Sequence, residues 1–370
     1  MLADKYVGLD IHRKTVVATV MDSKGRIEDQ VTLGGTGGEL TDYLKALPGQ
    51  KRVAMEACVM WEPLFDAATA SGAVVTLSHP NKTRLIAEAS LKTDRVDSEA
   101  LAKLLRLDSL PEAYAPSPEV RRLRRMVRER VFFKNKARSI CNHGYYLMMR
   151  QGTVYEDGIL SLKKKRETLR TLELPELNRT LDALAALEAT CKELDREIHE
   201  AYLASEEARL LASIPGVGEL TAVLLAAFLC PVERFGTIEK ACSYAGLVPT
   251  IHQSGETLYH GRIRRDSNSL LRWALVEASW VHRRVARGSD LSKVGRRVAR
   301  RRGKGKGAVA SAHQLLRIVY AVLKRRTPYT PQAPERPAAL YSQQRHEAVA
   351  SFRVRGTALE PTAANRLGAR

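Results

Sequence analysis

Lys92-Thr93-Asp94-Arg95-Val96-Asp97-Ser98-Glu99-Ala100-Leu101-Ala102-Lys103-Leu104-Leu105 is the stretch on which the reading of the first third of the chain turns. Good helix formers follow an N-cap at Thr93 or Asp94, so the spacing predicts a helix. Residues three and four apart share a helix face, which sets Asp94 and Asp97 in line with Leu101, Leu104 and Leu105. Two carboxylates therefore stand at the N-terminal end of the stripe that must face the core. Ionised carboxylates are costly to bury unless something cationic compensates them. Two explanations are open at this point: the acids cap the helix and favour its dipole, or they are half of a larger acidic site.

The residues upstream bear on that choice. Tyr6 to Ile11 reads as a short strand, His12-Arg13-Lys14 as a polar turn, and Thr15 to Met21 as a second strand. Asp22-Ser23-Lys24-Gly25 is turn chemistry, and Arg26 to Leu33 is a third strand. After the glycines at 34, 35, 37 and 38 comes a helix ending near Leu47-Pro48-Gly49. Strand Arg52 to Glu56, helix Trp61 to Ala70, strand Ala73 to Leu77 and helices after Pro80 follow. Three antiparallel strands and then strand–helix alternation predict a mixed sheet with helices on its faces.

Asp10 ends the first strand and Glu56 the fourth. Strand ends near a change of topology are where ligands and catalytic groups gather. Acids at strand ends are common, but here two strands deliver one acid each and a helix presents two more. Four converging carboxylates repel one another unless Mg²⁺ or Mn²⁺ neutralises them. Two such ions about 4 Å apart activate a nucleophile and stabilise the leaving oxygen at a phosphodiester.

The whole chain is consistent with an anionic partner. Its 370 residues carry a net charge of +19, with 44% hydrophobic residues to build cores. Such a balance predicts a polyanion, most simply nucleic acid. A membrane surface is the rival polyanion, but the longest apolar run, Leu220 to Cys230, is about half of a spanning length. Five scattered cysteines without a C-x-x-C spacing argue against disulfides or a zinc site and for a reducing cytosol. The expected location is cytoplasmic, in association with the nucleoid.

Pro111, Pro116 and Pro118 mark a boundary, giving a first domain at 1–112. The next block, 113–206, predicts two long helices. In the first, Arg121, Arg125 and Arg128 lead a basic run that suits phosphate contacts. The second carries a heptad-like seam of Leu184, Cys191 and Ile198 with Leu187, Leu194 and Ala201. The pair predicts either an antiparallel coiled-coil arm or an interface between copies of the chain, as a dimer or tetramer.

Residues 207–326 predict a mostly α-helical domain. Gly216 and Gly218 lie between two helices in a turn like a helix-hairpin-helix, where exposed N–H groups suit a phosphate. Farther on, strands flank a turn at Ser254-Gly255-Glu256, with Arg262, Arg264 and Arg265 close in sequence. A serine hydroxyl attacking a phosphodiester needs such cations, or a metal, beside it. From Arg283 to Arg326 fifteen Lys or Arg residues face one acid, Asp290. The block containing Arg300, Arg301 and Arg302 reads as flexible and basic, suited to tracking phosphates. Residues 327–370, rich in Pro, Ala, Gln and Arg, predict a disordered tail.

Tyr6-Val-Gly-Leu-Asp10, Ala54-Met-Glu56-Ala57 and Lys92-Thr-Asp94-Arg-Val-Asp97-Ser-Glu-Ala-Leu-Ala102 resemble the Asp-Glu-Asp-Asp set of the insertion sequence 110 family of transposases. Cys242 to Pro249, Gln253-Ser254-Gly255, His260-Gly-Arg-Ile263 and Asn268 to Arg272 resemble the same family's C-terminal domain. The resemblance implies a ribonuclease-H-like first domain, similar to RuvC-type junction resolvases, with Asp10, Glu56, Asp94 and Asp97 as metal ligands. It implies Ser254 as the nucleophile of a phosphoserine link to DNA, and an element-encoded guide RNA as a partner. One departure is local: Ile263-Arg-Arg-Asp-Ser-Asn268 stands where the family commonly has Ile-Ser-Lys-Arg-Gly-Asn, so Ser267 adds a hydroxyl. Ser243, Ser267 and Ser269 are the other candidate serines. The competing readings are a hydrolytic RuvC-like junction nuclease and a non-catalytic nucleic-acid-binding protein.

Overall fold

Strands rich in Val, Leu and Met, the central ones buried on both faces, build a five-stranded sheet in the computed structural model, which describes residues 4–330 apart from 87–92, 154, 157, 255–256 and 264–265. Two compact units divide at Ser117 and Pro118. The expected tail lies outside the described residues beyond position 330. At its start, the Tyr329 backbone N–H donates to Ser213 Oγ at 2.7 Å, so the first residues of that segment pack back onto the second unit.

The first unit contains β1 (Lys5–Ile11), β2 (Thr15–Asp22), β3 (Ile27–Gly34), α1 (Gly37–Ala46), β4 (Lys51–Glu56), α2 (Trp61–Ala70), β5 (Val74–Ser78), α3 (Pro80–Ile86) and α4 (Asp94–Arg106). The sheet order is β3-β2-β1-β4-β5. β1, β2 and β3 run antiparallel in sequence, whereas β4 is parallel to β1 and β5 parallel to β4. This mixed sheet is the one the sequence predicts, and it fits a ribonuclease-H-like domain.

Side chains alternate across the sheet, so each strand serves two layers. Val7 and Leu9 of β1 and Val53 and Met55 of β4 pack with Leu40, Leu44 and Leu64 from α1 and α2. On the opposite face Tyr6, Ala54 and Met21 meet Leu101, Ala102 and Leu105 of α4. Gly8 makes that second layer possible. A Cβ on Gly8 would lie 2.0 Å from the Ser98 carbonyl oxygen and 2.6 Å from the Ala102 nitrogen, so α4 rests directly on the β1 backbone.

The second unit begins with α5 (Pro118–Arg150), followed by α6 (Lys163–Arg170), α7 (Pro175–Ala204), α8 (Glu206–Ala212), α9 (Glu219–Leu229) and α10 (Ile238–Tyr244). A hairpin of β6 (Pro249–Ser254) and β7 (Thr257–Ile263) precedes α11 (Ser269–Val285), α12 (Asp290–Arg302) and α13 (Lys304–Arg325). α5 and α7 pack antiparallel: Arg130 forks onto Asp195 at 2.7 and 3.0 Å, and Gly144 lies against Thr180 and Leu160. Of the expected α7 seam, Leu184, Cys191, Leu194 and Ile198 are buried, whereas Leu187 and Ala201 are half-buried. In α5 the buried positions are Arg121, Met126, Val127, Ala137, Gly144 and Met148.

The division expected at 206 is absent as a packing boundary. Met126 and Val127 of α5 and Leu194 and Ile198 of α7 share one core with α9, α11 and α13. The helix pair is thus rooted in the C-terminal core, because its apolar stripe continues into that of α9. No helix among the described residues is long and apolar enough to cross a membrane.

Candidate active site

The site is built by β1, β4 and the first turn of α4. In β4, Ala54 faces α4, so by alternation Glu56 belongs to the same face. In β1, Gly8 touches α4, which puts Asp10 on that face too. Leu9 pairs with Met55 in the parallel register, so Asp10 and Glu56 are the next residues on adjoining strands. β4 ends at Glu56, and β1 one residue beyond Asp10. Thr19 of β2 then fixes the helix: its hydroxyl lies 2.7 Å from Ser98 Oγ, and the Gln30 amide reaches Thr19 Oγ1 at 2.9 Å and the Arg95 carbonyl at 3.2 Å.

Thr93 resolves the question of the cap. Its side chain accepts from the Val96 N–H at 3.3 Å, so the capping bond belongs to Thr93. The Asp94 carboxylate instead reaches His12, Oδ1 to Nε2 3.2 Å, and the same Nε2 lies 2.9 Å from Asp10 Oδ2. Ligand atoms of Asp10, His12 and Asp94 all fall within 4.8 Å of one another, a spacing that suits one divalent cation. Burial pushes the Asp10 carboxyl up, the charge and hydrogen bond of His12 draw it down, and the negative charges of Asp97 and Asp94 push it up again. Asp97 is therefore within electrostatic reach of Asp10. Oxygen donors dominate the set, which fits a hard cation such as Mg²⁺ or Mn²⁺. His12 is a site residue that sequence reasoning misses, because in sequence it is part of an ordinary polar turn. Its signal is the two-residue step from Asp10, which keeps it on the same face of the strand.

Two family models match the chain. One, described as a transposase of the DEDD type, covers residues 7–143; the other, described as the Transposase IS116/IS110/IS902 family, covers residues 208–296. Together they span more than half of the chain. The chain belongs to the IS110 family of transposases. Among its relatives is a probable family 20 transposase of Pseudomonas aeruginosa, 28% identical over 79% of this chain and 89% of that protein. Another is the transposase for insertion sequence element IS1111A of Coxiella burnetii, 26% identical over 75% of this chain and 79% of that protein.

In the second unit of this transposase, β6 ends at Ser254, which pairs with Thr257 across the hairpin. Strands on either side of the serine turn are as the sequence predicts. Gly255, Glu256, Arg264 and Arg265 lie outside the described residues, while Arg262 is exposed on β7. Ser267 is half-buried, accepts from Arg272 at 2.9 Å and sits against Gly246, whose φ is +65°. Packing and an arginine thus already engage this additional hydroxyl.

The expected phosphate contacts divide sharply. Arg125 and Arg128 are exposed on α5, but Arg121 is 4% exposed and belongs to the interior. Its neighbours show why a basic run turns inward. α9 is apolar and buried from Ala222 to Leu229, so its last carbonyls need donors from other elements. Arg124 Nε donates to the Ala227 carbonyl at 2.8 Å, and Arg234 to that of Phe228 at 2.6 Å. Arg124 and Arg128 also lie over the Phe228 ring, 5.0 and 5.1 Å from its centroid.

Gly216 has a φ of +92°, and a Cβ there would stand 2.6 Å from the His282 nitrogen. His282 Nδ1 also hydrogen-bonds the Pro215 carbonyl at 2.7 Å. The close approach that Gly216 permits is to α11, whereas Gly218, at the N-terminus of α9, is open to solvent. Arg300, Arg301 and Arg302 are not in a flexible segment but in the last turn of α12, and all three are exposed. Ser289 starts that helix by accepting from Ser292, and Gly295 and Gly307 let α13 lie close along it. No described acid pairs with Arg297, Arg300, Arg301 or Arg302.

Proposed function

We propose that the chain cuts and rejoins DNA strands of an insertion sequence, with Asp10, Glu56, Asp94 and Asp97 holding Mg²⁺ or Mn²⁺ and Ser254 as the nucleophile. The observation that carries the reading is the delivery of acids from two strand ends and one helix start to the same face and end of the sheet. Capping does not require that arrangement, since Thr93 supplies the cap.

In the reaction, the Ser254 oxygen loses its proton and displaces one ester oxygen from phosphorus. A phosphoserine bond forms, the P–O bond to one strand breaks, and that strand leaves with a protonated end. Attack by a strand hydroxyl on the phosphoserine reverses the exchange and joins DNA. A bound divalent cation supplies charge neutralisation at the phosphate and stabilises the leaving oxygen. The chain's own cations do the rest: exposed Arg125, Arg128, Arg262 and the end of α12 hold phosphates, and Gly218 offers an open helix N-terminus to another. An element-encoded RNA, a second polyanion, serves as the guide in this reading, and the α5–α7 helix pair is the surface through which copies of the chain assemble.

The test is capture of a covalent protein–DNA adduct in the presence of Mg²⁺. The wild-type chain should form it; Ser254→Ala should not, and Ser267→Ala should retain it. Asp97→Asn should lower strand cleavage by roughly 10³-fold while DNA binding persists. An adduct formed by the Ser254→Ala chain would move the nucleophile elsewhere. Cleavage without any adduct would favour a hydrolytic nuclease.

A further inference from the structure

His12 occupies a position in the acidic site where one ring nitrogen faces two carboxylates at once. The β1–β2 turn is closed by the His12 N–H donating to the Thr15 carbonyl at 2.9 Å, and this sets the imidazole two residues beyond Asp10 on the α4 side of the sheet. There Nε2 meets two carboxylates from different elements, at 2.9 and 3.2 Å. In an octahedron with bonds of about 2.1 Å, neighbouring donor atoms are about 3.0 Å apart. Nε2 therefore stands at the separation of adjacent ligands from each of the two carboxylate oxygens, and one donor atom from each of the three residues falls within 4.8 Å of the others.

We infer that His12 is itself a metal ligand, giving the site a nitrogen donor among its carboxylates and a preference for Mn²⁺ over Mg²⁺. The inference rests on the reading of Asp10, Glu56, Asp94 and Asp97 as a cation site. Mg²⁺ takes oxygen donors and sheds its waters reluctantly, whereas imidazole suits the first-row transition metals. A histidine that merely bridged two carboxylates would be pushed aside by the arriving ion and leave an all-oxygen shell. The two cases differ in one measurable property, the presence of nitrogen on the bound metal.

Pulsed electron paramagnetic resonance of Mn²⁺ bound to the untagged full-length chain reads that property directly, with no variant required. A ¹⁴N coupling of a ligated imidazole is expected, and it should vanish in His12→Ala while Mn²⁺ still binds. In titrations of the two metals, His12→Ala and His12→Gln should each lower the preference for Mn²⁺ over Mg²⁺ by about tenfold. His12 is a half-exposed turn residue, so both variants should keep the wild-type circular dichroism. Bound Mn²⁺ without ¹⁴N coupling, or a coupling that survives His12→Ala, would overturn the inference and leave the carboxylate site standing. Mn²⁺ binding that Asp97→Asn does not weaken, or no Mn²⁺ binding at all, would sink the carboxylate reading and the inference together.

Discussion

The acidic end of the sheet and the arginine-rich helices both look, in the sequence, like concentrations of one charge. The fold treats them in opposite ways. In the first unit, Asp10 and Asp94, more than eighty positions apart, are brought together with His12 within 4.8 Å at one end of the sheet, where α4 rests on Gly8. In the second unit, a continuous basic run is taken apart. Arg121 is buried, Arg124 satisfies a helix end and Arg130 forks onto Asp195, whereas the end of α12 keeps its cations in solvent. Like charge gathered at a cost to the fold is evidence of a ligand. Like charge that lies adjacent in sequence is evidence only after the fold has taken what it needs.

The largest effect should come from breaking the collection itself. Gly8→Val puts a branched side chain where even a Cβ would be 2.0 Å from the Ser98 carbonyl oxygen. Backbone cannot yield as a flexible side chain would, so α4 must lift from β1, at about 3 kcal/mol or more. Asp94 and Asp97 move with it while Asp10 and Glu56 stay. Metal-dependent cleavage should fall to background, and the first unit should unfold at a lower denaturant concentration. A Gly8→Val chain with normal metal affinity would show that the acids do not depend on the α4 contact, and the comparison would lose its first half.

How much of this is legible in the sequence follows from the same contrast. The strands are readable because runs of Val, Ile and Thr are set between turn residues, and the acids because Asp10 and Glu56 close apolar strands while Asp94 and Asp97 head the apolar stripe of a helix. His12 is not, since nothing in His12-Arg13-Lys14 says that a turn will fold over α4. On α5 the packed face is hard to read because its buried positions include Ala137 and Gly144, too small to register as hydrophobic periodicity. The basic block at the end of α12 reads as flexible because Gly303 and Gly305 interrupt it; the structure uses Gly303, at φ +89°, as the corner between α12 and α13. Nor does a single sequence reveal that Arg121 faces inward, because long cations buried beside a helix end and cations on a surface have the same spelling.

The basic half of the comparison predicts an intermediate effect. For every phosphate that is no longer neutralised, the salt dependence of binding to duplex DNA should fall by about 0.9 in the log–log slope. Replacing Arg300, Arg301 and Arg302 together by Gln should therefore lower it by up to about 2.7. Arg121→Met should leave the slope unchanged, since that side chain is 4% exposed. Binding measured from about 50 to about 300 mM salt would check both. An equal drop in slope for the two variants would mean that burial in the free chain does not sort its cations into structural and nucleic-acid-binding sets.

The smallest effect should fall on a cation that the fold has already consumed. Arg130 reaches Asp195 with two hydrogen bonds, and this fork holds the guanidinium above its ordinary pKa. Arg130 is 14% exposed and Asp195 48%, so solvent screens one side of the pair and its worth stays near that of a surface ion pair with good geometry. Asp195→Asn keeps the shape and one acceptor but removes the charge. It should cost about 0.5–1 kcal/mol, visible in denaturant unfolding of the full chain. It should not alter the salt slope, because a guanidinium set between α5 and α7 has no route to a phosphate. A slope that rises by about one unit when Asp195 is neutralised would mean the opposite: that Arg130 is held in reserve by its partner and moves to a phosphate once released. The division between consumed and available charge would then be an equilibrium set by each ion pair, and Arg125 and Arg128 would have to be judged by what they pair with as well as by their exposure.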